Sequence, residues 1–268
     1  MTDALRFALA ALFAGSVSGF LAGLFGVGGA NVLVLALYEL FRVFEIPDSI
    51  RMQTCIGTSL AILGPTSLRT YLAYRAHGVA ASGVLRAWTV PVLAGVACAC
   101  IAAFFTPAAM FKLIYLAFLI VMAAQPMLER GLARLRAKPN YAITAGFGFL
   151  VGVVSALTGT GGAVLTTFFL TICGQSVYGV AASSAGVGAL IGVPGAIGFA
   201  VAGLQQQALM PPFSIGYVSL IGAALILPAS VLAAIYGTAM AQNMPRRGLE
   251  IAFAIFVVSA AIRLLWNS

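Results

Sequence analysis

The chain has 268 residues, of which 62% are apolar and 7% charged, with a formal net charge of +8 and a mean hydropathy of +1.08. A soluble domain carries roughly 25% charged residues, so a water-soluble enzyme, a nucleic-acid binder and a disordered chain are excluded. The basic excess is that of a membrane protein, whose Lys and Arg gather in loops and set its orientation.

In chain order, apolar runs and their breakers predict helices at 4–25 and 30–44 with a break at 26–29. Helices near 51–74, 80–104 and 107–128 follow. The second half predicts 141–157, a break at 158–162, 163–173, then 177–202, 213–240 and 247–266. Phe7–Tyr38, Ala87–Phe111 and Pro139–Pro245 contain no Asp, Glu, Lys or Arg. A bilayer-spanning helix needs about 20 mainly apolar residues, so the expected fold is an all-α polytopic membrane protein. The apolar N-terminus flows into a glycine-rich segment, and no cleaved leader is expected. Cys55, Cys98, Cys100 and Cys173 form no C-x-x-C pair and read as buried, inert thiols. His77 is the sole histidine, so no metal site is expected.

The halves repeat. Gly15, Gly19, Gly26, Gly28, Gly29 and Ala30 fall at one constant offset on Gly148, Gly152, Gly159, Gly161, Gly162 and Ala163, with Gly23 on Ala156. Thr58-Ser59 then meets Ser183-Ser184, each pair ahead of a helical proline, Pro65 or Pro194. A lone small-residue motif only permits close helix packing; this concerted match predicts two structural repeats, 1–135 and 136–268. Each holds a glycine-broken hairpin (4–44 and 141–173) followed by three transmembrane helices.

Charge chooses their relative orientation. If each broken segment turns back, the loop with Arg130, Arg134, Arg136 and Lys138, the loop with Arg69, Arg75 and Arg86, and Arg246-Arg247 share one side. The chargeless 203–212 loop then lies on the other. The positive-inside rule thus predicts inverted repeats with both termini external. If the segments instead cross once, the halves are parallel.

Inverted repeats with discontinuous helices point to a transporter's central site. Unpaired backbone is tolerated in a bilayer only where protein or a wet cavity covers it. Each second helical piece starts after Gly28-Gly29 or Gly161-Gly162, presenting N–H groups and the positive dipole end to a small anion. The candidate substrate-binding residues are Gly26, Gly28, Gly29, Asn31, Thr58, Ser59, Thr158, Gly159, Thr160, Gly161, Gly162, Ser183 and Ser184. The hydroxyls and the amide can donate to oxyanions, although Ser and Thr in membrane helices also bond their own backbone. Arg51 and Gln53 open the second helix as an entrance or an interfacial anchor, and Lys112 is expected to snorkel outward.

At these residues the chain resembles the TauE/SafE sulfite-exporter family of membrane permeases. GLFGVGGANVLV and ALTGTGGAVLTT look like that family's duplicated glycine motif, and GTSLA and the C-terminal PPFSIGYVSLIGAALILPASV segment are similar to its pattern. Ala30 stands where the family usually has a third glycine, and Tyr236 where a second proline often follows. The resemblance implies transport of sulfite, sulfonates and related sulfur anions across a bacterial inner membrane, without cofactor. The implied partners are the anion and the lipid bilayer, with a homodimer left open. Of the six acids only Glu39 and Glu250 lie within helix runs, each near an end, which favours facilitated export over proton-coupled import. A thiol redox carrier and a scaffold without transport are the competing classes.

Overall fold

The computed structural model describes residues 2–25, 30–76, 83–132, 140–175, 177–210 and 213–242. Nine α-helices occur among them: α1 (Thr2–Phe25), α2 (Ala30–Val43), α3 (Asp48–Ala76), α4 (Gly83–Phe105), α5 (Ala108–Leu132), α6 (Tyr141–Thr158), α7 (Ala163–Ile172), α8 (Val177–Ala202) and α9 (Leu220–Gln242). The fold is polytopic and all-α in character. Leu85–Phe105, Tyr141–Thr158 and Gly179–Leu209 are long and apolar enough to cross a membrane. Phe13, Val90, Phe105, Ile120, Phe149 and Ile197 stand exposed on the helix surfaces, as a lipid-facing band requires.

Helix α3 is less apolar than its neighbours because protein surrounds its first half: every residue from Ile50 to Leu60 is buried. Helix α8 runs antiparallel beside it, with Gly57 by Phe199, Gly64 by Gly192, Ser67 by Gly188 and Tyr71 by Gly186. Two further close pairs flank this centre. Gly15 and Gly19 of α1 lie on Ile226 and Ser230 of α9, and Gly148 and Gly152 of α6 lie on Trp88 and Val92 of α4. Glycine is required at these crossings because a Cβ at Gly19 or Gly152 would enter a backbone carbonyl of the facing helix. Trp88, Phe147 and Phe169 tie α4, α6 and α7 together, the two phenylalanine rings stacked at 4.7 Å.

One local expectation differs. The helix expected from 213 begins at Leu220, after a 3₁₀ turn (Gly203–Leu209) and a two-stranded hairpin, β1 (Ser214–Ile215) and β2 (Val218–Ser219). Phe213 and Gly216 have positive φ, which interrupts a right-handed helix, and a Cβ at Gly216 would run into the Ala200 carbonyl. Gln207 clamps the hairpin, accepting from Gly216 N at 2.8 Å and donating to the Ser214 carbonyl. The predicted break at 26–29 and helix at 247–266 lie outside the described residues.

Candidate functional site

Helix α6 starts cleanly and ends abruptly. Asn140 caps its start, with Oδ1 accepting from Ile143 N at 2.9 Å. At its end Gly159 takes φ 71°, followed by Gly161 at 66° and Gly162 at 74°. The left-handed region costs other L-residues roughly 1–2 kcal/mol each, so this spacing of glycines is what lets the chain unwind and restart as α7. The Ser155 carbonyl accepts from both Gly159 N and Thr160 N, closing the end of α6. Gly162 is the N-cap of α7 and supplies no side-chain cap.

The stretch Thr158–Gly162 is buried throughout. Its walls come from both halves of the sequence: Val34 of α2 and Ile56 of α3 against Gly159, Leu63 of α3 against Gly161, Ile191 of α8 against Gly162. Ser59 donates across to the Gly159 carbonyl at 2.9 Å. Thr58, its neighbour, accepts from Ser219 N at 3.0 Å at the head of α9. Thr158 donates to Val154 O at 2.8 Å and pairs with Thr160 at 2.9 Å. Since Thr158 has already given its proton, Thr160 is the donor within that pair.

The structure therefore brings Ser59, Thr158, Gly159, Thr160, Gly161 and Gly162 together, while the Thr58 hydroxyl is turned to the start of α9. Ser183 and Ser184 lie apart from Thr58 and Ser59, about one turn along α8 from Gly188, whose would-be Cβ stands 3.5 Å from the Gly161 carbonyl. Both lie on α8, Ser183 buried and Ser184 paired with Thr167 of α7 at 3.3 Å. Thr58 and Ser59 sit by the Phe199 end of α8, and roughly 22 Å of helix separates Phe199 from Ser184 at about 1.5 Å per residue. Gly26, Gly28 and Gly29 lie outside the described residues, and Asn31 is placed only as a backbone position in α2.

Arg51 and Gln53 divide. Arg51 is 8% exposed; its Nε and Nη2 donate to the Ile46 carbonyl at 3.0 and 2.6 Å, and it pairs with Asp48. It locks the reversal between α2 and α3, over the Tyr38 ring. Gln53 lines a cavity of about 550 Å³ with Asp48, Ser49, Thr106, Gln206 and Tyr217. Its amide donates to Thr106 O at 3.3 Å, and its Oε1 is buried without a partner. Burial raises the Tyr217 phenol above its ordinary value, so it stays a neutral donor to Gln206 Oε1 at 3.1 Å. Lys112 is half-buried with its Nζ 5.6 Å from the Tyr38 ring centroid.

Sequence reasoning passed over two hydroxyls at the break, Ser155 and Thr166, both fully buried. Nothing in an apolar run distinguishes such residues from ordinary helix hydroxyls.

A polytopic bundle whose interior holds an unwound, enclosed, hydroxyl-rich backbone is the architecture of a membrane transporter. The model of the sulfite exporter TauE/SafE family matches residues 11–264, and the chain belongs to that family. It is 30% identical over 266 residues to a probable membrane transporter protein of Haemophilus influenzae, covering 96% of this chain and 98% of that one. No solved structure matches. The protein is a multi-pass membrane transporter.

Proposed function

We propose that this transporter moves small sulfur oxyanions or organosulfonates, sulfite-like in size and charge, outward across a bacterial inner membrane. One observation carries the reading: Thr158–Gly162 is unwound, wholly buried and free of charge, with hydroxyls and the start of α7 gathered around it. The named neighbours of Gly159, Gly161 and Gly162 are apolar or hydroxyl-bearing. An anion there is held by N–H and O–H donors, each worth about 1.5–3 kcal/mol to a charged group. Four to six such bonds offset the desolvation of about one ion while still allowing release.

The two parts, 1–135 and 136–268, act as inverted repeats with external termini. The antiparallel course of the matched helices α3 and α8 supports the inversion, and the paired packing supports the repeat. The offset carrying Gly15 onto Gly148 also carries Gly19 onto Gly152, and their partners Ile226 and Ser230 correspond in the same spacing to Trp88 and Val92. The membrane potential supports export, since about 100 mV, negative inside, favours moving each negative charge outward by about 2.3 kcal/mol.

The test is flux in proteoliposomes against sulfite, sulfate, thiosulfate, sulfoacetate and taurine. At least one should move, faster when the membrane potential favours anion exit, and without need of a pH gradient. Absence of flux for all five overturns the proposal.

A further inference from the structure

Serine and threonine inside helices commonly return their hydroxyl proton to the carbonyl one turn back. Thr54, Thr66, Thr89, Thr144 and Thr158 all do so here. Ser155 and Thr166 do not. Both are 0% exposed, and neither hydroxyl has any hydrogen-bond partner. A buried orphan hydroxyl forfeits its hydration for nothing, so its persistence points to a partner that comes and goes.

Both residues flank the break. Ser155 sits one turn before the end of α6, and its Oγ lies 3.1 Å from where a Cβ at Gly162 would stand. Thr166 is in the first turn of α7, its amide bonded to the Gly162 carbonyl at 2.9 Å. The start of α7 thus has an uncapped N-terminal residue, a positive dipole end and two uncommitted donors beside it. The other hydroxyls here are committed: Ser59 to Gly159 O, Thr158 to Val154 O and Thr160 to Thr158. Their protons hold the break in shape, which leaves Ser155 and Thr166 as the donors still free there.

The fold does not need these hydroxyls. At the offset that carries Gly15 onto Gly148, Ser155 corresponds to Ala22 and Thr166 to Leu33. The first half makes its own α1 and α2 with apolar side chains at both places.

We propose that Ser155 and Thr166 are direct ligands of the transported oxyanion, donating from the two arms of the α6–α7 hairpin to oxygens held at the start of α7. The inference rests on the carrier reading above and makes the site lopsided, with its stronger half in the second repeat.

The experiment compares Ser155→Ala, Thr166→Val and Thr166→Ser with wild type in proteoliposomes loaded with radiolabelled sulfite or sulfate, alongside thermal unfolding. Ser155→Ala and Thr166→Val should each raise the apparent KM about tenfold or more, with the unfolding temperature unchanged or higher. Thr166→Ser keeps the hydroxyl and should stay near wild type. Wild-type KM in Ser155→Ala and Thr166→Val, or equal losses in Thr166→Ser and Thr166→Val, overturns the assignment. If wild type moves neither anion, the carrier reading for these anions falls and this assignment with it. An active wild type with indifferent variants removes this assignment alone.

Discussion

Replacing Gly162 by alanine adds one methyl group at the point where α6 gives way to α7. The residue has φ 74°, and the new Cβ would stand 2.9 Å from Ile191 Cδ1 and Val151 Cγ1 and 3.1 Å from Ser155 Oγ. The left-handed backbone costs alanine about 1–2 kcal/mol, and crowding in a packed site costs about 1–3 kcal/mol more. The expected destabilisation is about 2–5 kcal/mol, and flux should fall because the methyl occupies the N-cap of α7. Gly146 supplies the control. It lies exposed in α6, with nothing within 4 Å of its would-be Cβ. Gly146→Ala should gain up to about 1 kcal/mol from helix propensity and transport normally. Thermal unfolding in detergent and flux in proteoliposomes give the comparison. If Gly162→Ala matched Gly146→Ala in both, the left-handed turn would not be the feature that shapes this site.

Ser59→Ala should destabilise the protein by about 1–3 kcal/mol by leaving the buried Gly159 carbonyl without its cross-helix donor, read as a lower unfolding temperature together with slower flux. Arg51→Ala should cost about 3 kcal/mol through loss of the fork on the Ile46 carbonyl, and Arg51→Lys should restore little because an ammonium cannot bridge the same geometry; chemical or thermal unfolding measures both. Exchanging all four cysteines for alanine should leave flux intact, which a thiol redox carrier would not survive. In that background, Gln205→Cys should react with a membrane-impermeant maleimide added outside intact cells, and labelling only after lysis would refute the proposed orientation.

Much of the helical skeleton is legible in the sequence because lipid imposes long uncharged runs, and the second break is legible because only glycine tolerates successive left-handed positions. The start of α9 is not. Phe213 and Gly216 lie in an apolar stretch that reads as continuous helix, and the hairpin depends on Gly216 approaching Ala200, a contact distant in the chain. Arg51 reads as an entrance charge or an interfacial anchor because its partner is the backbone carbonyl of Ile46, which only the chain reversal delivers to it. The pairs Thr58-Ser59 and Ser183-Ser184 look equivalent in sequence, yet the antiparallel course of α3 and α8 sends them to different levels. Ser155 and Thr166 escape notice for the opposite reason: what marks them is the lack of a partner, which no residue pattern records.

Helices α3 and α8 meet at Gly64 and Gly192, where a Cβ on Gly192 would come within 2.6 Å of the Gly64 backbone. Meshed side chains act as gear teeth, and two rods so engaged must be lifted apart before they can turn. Bare backbone has no teeth. The crossing is a smooth bearing, tight against separation yet permissive of rocking. Pro65 and Pro194 sit beside it, each depriving the carbonyl one turn earlier, Ala61 or Leu190, of its helical donor, so each rod can flex next to its pivot. A motion that alternately exposes the interior to the two sides of a membrane would find its hinge pin there.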